Sequence, residues 1–249
     1  MNDGSSSQSG ADTKQSLPPP IYAFPGSECD SAVDWLSPNK VLADFLSALG
    51  ILHPRAVTRD LLNEFGSLPD ILSASTWRLR HAVGFRLATT IGATRHLMCA
   101  SLAFPLRKGP IVPRSQALGA FLQMKIGFLQ HEQILAVYVD HQHTLLRIQK
   151  IADGGFRGAE MDFRRIISCG LGIAASGFIL VHNHPSGIPG PSQADLAVTA
   201  RLRNIVAELD LHLIDHLIIA RGQIASIQDY WREAEWRGPA LHQADVLAG

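Results

Sequence analysis

The stretch "LVHNHPSGIPGPSQAD", residues 180–195, brings two histidines, two serines and an aspartate into one short segment. It overlaps the apolar run "GFILVHNH" at 177–184, which predicts a buried strand. The prolines and glycines that follow remove backbone donors and permit positive φ, so the strand must end there and the chain must turn. Apolar positions after Ser192 are spaced as in a helix, which places Asp195 in the first helical turn. The stretch therefore predicts a strand, a turn and a helix in succession.

This arrangement predicts a metal site. His182 and His184 are two residues apart on a strand, so their side chains point to one face while Asn183 points away. With Asp195 they form a His₂Asp set, and three protein ligands with an open fourth position are typical of catalytic zinc, which lowers the pKa of bound water towards ~7. A purely structural interpretation also exists, because Ser192 and Asp195 match a helix N-cap with an acid in the first turn.

The flanking segments predict interleaved strands and helices. Ser115 is positioned to cap a helix over 116–129. The segment "EQILAVYVD" (132–140) is a predicted strand that pairs in a hairpin with "TLLRIQKIA" (144–152). Further on, the pattern predicts a helix in 161–176, the helix after Ser192, and a last hairpin formed by "LHLIDHLIIA" and "QIASI". This half of the chain is therefore α/β or α+β.

Composition limits the class of protein. The chain has 249 residues, of which 46% are hydrophobic, so most of it should fold. The first twenty residues are polar, end in three prolines and lack a secretory signal pattern, and we predict a disordered tail over 1–30. Cys29, Cys99 and Cys169 form no CxxC pair, which argues against disulfide and Cys-based zinc frameworks. No apolar run approaches the ~20 residues that span a bilayer, so we predict a cytoplasmic protein without a membrane partner.

The helical patterns upstream predict a second domain. Several short helical runs over 38–106 are followed by the proline-rich linker "FPLRKGPIVPRS". We predict a helical domain at 38–106, a metal-binding domain at 113–235 and a loose tail at 236–249. Residues 71–131 carry eight basic residues and no acid, which makes DNA a candidate partner, although the solvated face of a helical domain has the same composition.

The segment "HNHPSGIPGPSQAD" resembles the signature of the JAMM (MPN+) metallo-isopeptidase superfamily, H-x-H-P…S-x-x-D, and is most similar to its bacterial RadC branch. The resemblance implies an α+β domain with a mixed sheet flanked by helices. It also implies that His182, His184 and Asp195 hold Zn²⁺ and that Ser192 helps to stabilise a tetrahedral intermediate. A glutamate opening the first strand acts on the water in this family, and Glu132 occupies that place.

Glu132 also makes chemical sense without the resemblance. It is the first acid after sixty-one residues without one, and a carboxylate beside zinc-bound water can take its proton and return it to a leaving amine. An exposed acid at a strand edge is the structural alternative. Asp215 and His216, in "LIDHLIIARGQIASI", are interpreted as groups that pack beside the ligands; the alternative is a second metal at that strand.

The region preceding the metal motif resembles the helix-hairpin-helix of RadC proteins, but it reads Gly84-Phe85-Arg86 where such hairpins usually have G-x-G.

The sequence predicts two alternative functions. The first is a zinc-dependent hydrolase cleaving an amide bond in a protein or peptide substrate; the second is a DNA-associated binding protein with a structural or unused metal site. A nuclease of the HNH type and a zinc deaminase fit poorly, because their further motifs are missing. A second histidine pair, "HQH" at 141–143, lacks a following acidic helix and is interpreted as solvated.

Overall fold

The structure is a computed structural model that describes residues 37–154 and 162–236. Within these ranges it contains eight α-helices and a five-stranded sheet. The predicted tails at 1–30 and 236–249 lie outside the described residues, apart from Trp236, the last residue of the last helix. The predicted fold class, α+β with a mixed sheet and helices, is confirmed.

Four helices come first and share one apolar core. They are α1 (Pro38–Ala48), α2 (Pro54–Phe65), α3 (Leu68–Ser73) and α4 (Thr76–Ala103). Proline at the first position of α1 and α2 suits a helix start, because its missing N–H would have no partner there. Inside α4, Gly84 has φ 77° and ψ 171°, so two helical runs meet there. The resemblance of this region to a helix-hairpin-helix stays a prediction.

The remaining elements form a sheet covered by helices. In chain order they are α5 (Gln116–Leu122), β1 (Gln133–Val139), β2 (Leu145–Asp153), α6 (Phe163–Gly172), β3 (Gly177–Asn183), α7 (Gln193–Ala207), β4 (His212–Ala220), β5 (Gln223–Ser226) and α8 (Ile227–Trp236). The strand order is β2-β1-β3-β4-β5. Neighbouring strands are antiparallel except β3 and β4, which are parallel because α7 connects them.

Strand β3 lies in the middle of the sheet, and all seven of its residues are buried. Its alternate side chains enter two cores: Ile179 and Val181 belong to the core that includes α5 residues, and Phe178 and Leu180 to the core that includes residues of α6 and α7. Because side chains alternate along a strand, His182 follows Leu180 onto the α7 side. The fold thus directs the first histidine towards the start of α7.

The helix predicted over 116–129 is interrupted. After α5 the chain forms a π-helical turn, Gln123–Gly127. The reason is the buried Gln123, whose amide donates to the carbonyl of Gln223 (2.8 Å) and accepts from the N–H of Gly222 (3.0 Å). A Cβ at Gly127 would lie 2.2 Å from Oε1 of Gln123, so glycine is needed there. The amide bonds join this turn to the loop between β4 and β5.

One buried carboxylate joins the first four helices to the sheet. Asp70 in α3 accepts a hydrogen bond from Nε2 of Gln130 (3.2 Å) and forms an ion pair with Arg221 (3.2 Å), which follows β4. Ser67, the N-cap of α3, donates to the same carboxylate at 2.6 Å. Gln130 lies two residues before Glu132, so the helices contact the chain just where it approaches the predicted site.

Tyr138 generates a prediction about stability. Its ring is fully buried and its hydroxyl donates to the carbonyl of Ile166 at 2.8 Å. Burial raises the pKa of the Tyr138 phenol well above its usual value. Above about pH 10 the unfolded chain therefore binds fewer protons than the folded chain, and the free energy of unfolding falls as pH rises. Tyr138→Phe should cost about 1 kcal/mol of unfolding free energy at pH 7.

That difference should shrink above pH 10, because the variant has no phenol to ionise. Urea unfolding of both proteins at pH 8 and pH 10.5 measures it. Tyr230→Phe is the matched control, because Tyr230 is 43% exposed and its substitution should change stability equally at both values. A Tyr138→Phe difference that is the same at pH 8 and pH 10.5 would contradict this account.

Candidate metal centre

Three side chains from the end of β3 and the start of α7 meet at one point. Nε2 of His182 lies 2.9 Å from Nε2 of His184 and 3.3 Å from Oδ1 of Asp195. Nε2 of His184 lies 3.5 Å from Oδ2 of Asp195. The side chains of His182 and Asp195 are buried, while that of His184 is 14% exposed. The cluster is therefore closed on the protein side and reaches solvent at His184.

The spacing of these atoms suits a metal ion. A tetrahedral ion bound at 2.0–2.2 Å separates its ligand atoms by about 3.3 Å. The separations between the two Nε2 atoms and the carboxylate oxygens are 2.9, 3.3 and 3.5 Å. Ligand atoms from all three residues lie within 4.8 Å of one another. The group could hold a metal ion, with two nitrogen donors and one carboxylate.

A chain of hydrogen bonds determines which nitrogen of His182 carries the proton. The hydroxyl of Thr199 donates its hydrogen bond to the carbonyl of Asp195. The Thr199 oxygen must therefore accept from Nδ1 of His216, 2.6 Å away. Burial lowers the pKa of His216 well below its usual value, so this ring is neutral and its Nε2 is an acceptor. Nδ1 of His182, 2.8 Å from that Nε2, must therefore donate.

The same reasoning gives each ligand nitrogen a lone pair when its ring is neutral. Burial lowers the pKa of His182 to about 4, so the ring is neutral and its Nε2 carries a lone pair. Nδ1 of His184 donates to the carbonyl of Ile188 at 2.8 Å, so its Nε2 also carries a lone pair when the ring is neutral. Both lone pairs lie in the cluster with Asp195, which is the tautomer that metal binding requires.

Charge in the cluster is concentrated on Asp195. Burial raises the pKa of this carboxyl, but its contact with His184, the neighbouring His182 and the bonds from Ser192 together hold it below its usual value. Contact with the carboxylate in turn raises the pKa of His184, against the effect of burial. Without a cation, a proton on His184 is thus stabilised beside the carboxylate. A metal ion would replace that proton.

Helix capping and ligand geometry coexist at Asp195. Ser192 is the N-cap of α7: its Oγ accepts from the N–H of Asp195 (3.2 Å), and Oδ2 of Asp195 accepts from the N–H (2.7 Å) and hydroxyl (2.6 Å) of Ser192. These bonds form a capping box. They fix the carboxylate with Oδ1 towards His182. The structural interpretation of Ser192 and Asp195 is therefore part of how the cluster is held.

Glu132 lies one residue before β1, at the same edge of the sheet. Ile134 of β1 pairs with His182 in an antiparallel register, which if continued brings Glu132 opposite His184. The contact with Asp195 is the largest cause of the raised pKa of His184, and the charge of Glu132 adds to it. The Glu132 side chain is half-buried.

Asn183, between the two histidines, holds the segment that carries Glu132. It is fully buried and points away from the cluster, as alternation predicts. Its amide donates to the carbonyl of His131 (3.0 Å) and accepts from the N–H of Gln133 (2.8 Å), the two neighbours of Glu132. The strand that supplies both histidines therefore also fixes the backbone on either side of Glu132.

Comparison with known proteins identifies the family of this chain. A family model described as "RadC-like JAB domain" matches residues 112–233. A UPF0758 protein of Methylibium petroleiphilum is 31% identical over 186 residues, 74% of this chain and 82% of the relative. A UPF0758 protein of Azotobacter vinelandii is 32% identical, and the match covers 78% of this chain and 88% of the relative. One of Stutzerimonas stutzeri is 32% identical, and the match covers 84% of this chain and 98% of the relative. This chain belongs to the RadC family.

Membership of the RadC family confirms the resemblance read from "HNHPSGIPGPSQAD" and the JAMM/MPN type of fold. The names of the relatives state no activity. Among the residues that the structure describes, no helix is long and apolar enough to cross a membrane.

Asp215 and His216 of this RadC protein were predicted to pack beside the ligands, and the structure places the two side chains in different surroundings. His216 contacts His182 directly, at 2.8 Å. Asp215, its neighbour on β4, instead accepts hydrogen bonds from Ser226 at 2.9 and 2.8 Å. Sequence reasoning missed Thr199 and the hydrogen-bonding role of Asn183. Thr199 had one available signal: it is four residues after Asp195 and so lies on the same face of α7.

The hydrogen-bond chain predicts that Thr199→Val weakens metal binding. The change removes the acceptor for Nδ1 of His216 and with it the restraint on the His182 tautomer, so divalent-ion affinity should fall about 10- to 100-fold. Competition with a chromophoric chelator measures the loss. Thr58→Val is the matched control, because Oγ1 of Thr58 is buried and has no hydrogen-bond partner among the described residues. Equal affinities for the two variants would exclude the proposed chain.

Proposed function

We propose that this RadC protein is a zinc-dependent hydrolase of the JAMM type that cleaves an amide bond in a protein or peptide. One observation carries the proposal: the lone pairs of His182 and His184 meet the buried Asp195 carboxylate at a point that has a second carboxylate, Glu132, nearby. A purely structural cluster would have no need of the second carboxylate. The cluster is open to solvent at His184, and a substrate would reach it from this side.

The donor set favours zinc over the other common divalent ions. Two imidazole nitrogens and one carboxylate in a near-tetrahedral arrangement suit zinc, whereas magnesium and calcium prefer six or more oxygen ligands. Zinc in such a site, when bound, activates water and polarises a carbonyl group. The chain supplies three ligands, which leaves a fourth position for these reactants.

The protein's own residues supply the proton transfer. In the proposal, Glu132 accepts the proton from the attacking water and returns it to the nitrogen of the leaving amine. Glu132 is half-buried, and Asn183 forms hydrogen bonds with the backbone of residues 131 and 133 on either side of it. These contacts suit a base that is held in a fixed position. Asp195 remains an anion and His182 remains neutral, so neither competes with Glu132 for this role.

Ser192 is proposed to donate a hydrogen bond to the developing oxyanion. Its hydroxyl donates to Asp195 at 2.6 Å in this structure. The proposed role therefore requires that the hydroxyl exchange this partner for the substrate oxygen. Backbone bonds from Ser192 to Asp195 would keep α7 capped after the exchange.

A cytoplasmic location is part of the proposal. Cys99 and Cys169 are free thiols, as is usual in a reducing compartment. The second predicted function, DNA association without hydrolysis, stays a prediction.

The proposal predicts one zinc ion per chain, lost on replacement of a ligand. His184→Ala should reduce bound zinc at least tenfold after dialysis against a weak chelator, because two ligands cannot complete the site. Elemental analysis measures the ratio of zinc to protein. His143→Ala is the control, since His143 belongs to the exposed pair at 141–143. Full zinc occupancy in His184→Ala would refute the ligand assignment.

Glu132→Gln separates catalysis from metal binding. The variant should keep its zinc, because Glu132 is outside the ligand set, and should lose hydrolysis by 100-fold or more, because an amide cannot accept the proton. The zinc-loaded protein is assayed against a library of fluorogenic peptide and isopeptide amides. Unchanged turnover in Glu132→Gln would remove its role as base, and no turnover of any amide by the wild type would count against hydrolysis.

A further inference from the structure

A cavity lies on the opposite face of the sheet from the metal cluster. Its volume is about 710 Å³, within the range of cavities that hold small ligands, ~300–1,000 Å³. The start of α4 and its later turns form one wall, and β1 and β2 form the other. Leu135 of β1 lines it, and this residue belongs to the core on the α5 side. The cavity is thus separate from the cluster around His182.

The charge of the lining is strongly positive. Four side chains with permanent positive charge line the cavity, together with one carboxylate, Asp153. The four are Arg78, Arg95, Lys125 and Lys150. Asp153 is already engaged by Lys150, by Gln133 and by His131 at 3.6 Å, and the bond from Lys150 is the largest cause of its lowered pKa. Arg78 pairs with Glu64 at 3.3 Å, so among the described residues the positive charge of the cavity that no acid neutralises is that of Arg95 and Lys125.

Two of the cations have no acidic partner in the part of the chain that the structure describes. The guanidinium of Arg95 donates to the carbonyl of Lys125 at 2.8 Å, and among the described residues no carboxylate lies within ion-pair distance of Arg95 or of the Lys125 ammonium. Burial lowers the pKa of Arg95, which shows that its charge is partly desolvated. Both cations influence the same thiol, Cys99, so they lie near each other. Holding two such charges together is unfavourable unless an anion joins them.

The beginning of α4 adds donors to the same wall. Ser75, the N-cap of the helical run that precedes Gly84, and Thr76, its first residue, both line the cavity, as does Ser73. A helix N-terminus carries partial positive charge and unpaired N–H groups, which favour phosphate oxygens. Leu129, Leu135 and Ile148 provide an apolar part of the lining. Cations, hydroxyl groups and an apolar surface thus line one cavity that is open to solvent on one side.

We propose that this cavity binds a phosphate monoester carried by a ligand of about mononucleotide size. Arg95, Lys125 and the start of α4 bind the phosphate, and the apolar part of the lining accommodates the organic group. The doubly charged monoester matches two uncompensated cations better than a single carboxylate does. The proposal is independent of the amide hydrolysis proposed for the metal cluster. It also gives a function to part of the basic segment 71–131, because three of its eight basic residues converge here.

Binding is tested on the full chain at low salt with inorganic phosphate, a nucleoside 5′-monophosphate and the matching nucleoside. A short single-stranded DNA with and without a 5′-phosphate distinguishes a free nucleotide from the end of a nucleic acid. Calorimetry should detect the phosphorylated probes, and Lys125→Gln should weaken their binding at least tenfold. Arg95→Gln should do the same, but Lys125→Gln is the safer variant because the Lys125 ammonium has no structural partner among the described residues.

Arg107→Gln is the matched control: it removes one positive charge from an exposed residue of the same segment outside the cavity, and binding should stay within twofold of wild type. The proposal is wrong if no phosphorylated probe binds at millimolar concentration. It is also wrong if Arg107→Gln weakens binding as much as Lys125→Gln, since that result means non-specific attraction to the basic segment 71–131.

Discussion

The burial of strand β3 between β1 and β4 is the constraint on which the site depends. A strand paired on both sides and covered on both faces has a register that is strongly specified, since a shift by one residue would exchange its two sets of side chains. That register places His182 beside Ile134 of β1 and Ile218 of β4, and it places Asn183 where its amide holds the segment before β1. Both histidines and the neighbourhood of Glu132 therefore depend on one strand.

Buried polar groups then convert this geometry into a specific protonation state. Helix α7 supplies Asp195 and Thr199, one turn apart, and β4 supplies His216 between Thr199 and His182. Each member of this chain is buried, so a missing partner would leave a desolvated polar atom. The direction of each hydrogen bond in this chain determines the direction of the next. Thr199, which is not one of the predicted ligands, therefore determines which nitrogen of His182 carries the lone pair.

Sequence patterns predicted the parts of this fold that depend on local spacing. The alternation of His182 and Asn183, the turn after His184 and the place of Asp195 in the first turn of α7 follow from neighbours along the chain. The strands and helices around them were predicted from the same periodicities. The hydrogen-bond chain was not predictable, because it requires knowing that β4 lies parallel to β3 with His216 beside Leu180. The π-helical turn was missed for a similar reason: Gln123 takes partners one hundred residues away.

The convergence of three ligand atoms on one cation is the central claim, and a crystal grown with zinc tests it most directly. An anomalous difference map collected at the zinc edge should show one strong peak among the side chains of His182, His184 and Asp195. Its distances to the two Nε2 atoms should be about 2.0–2.1 Å, and to the carboxylate about 2.0–2.2 Å. A map with no peak there, or with zinc held only by surface histidines such as those at 141 and 143, would contradict the account.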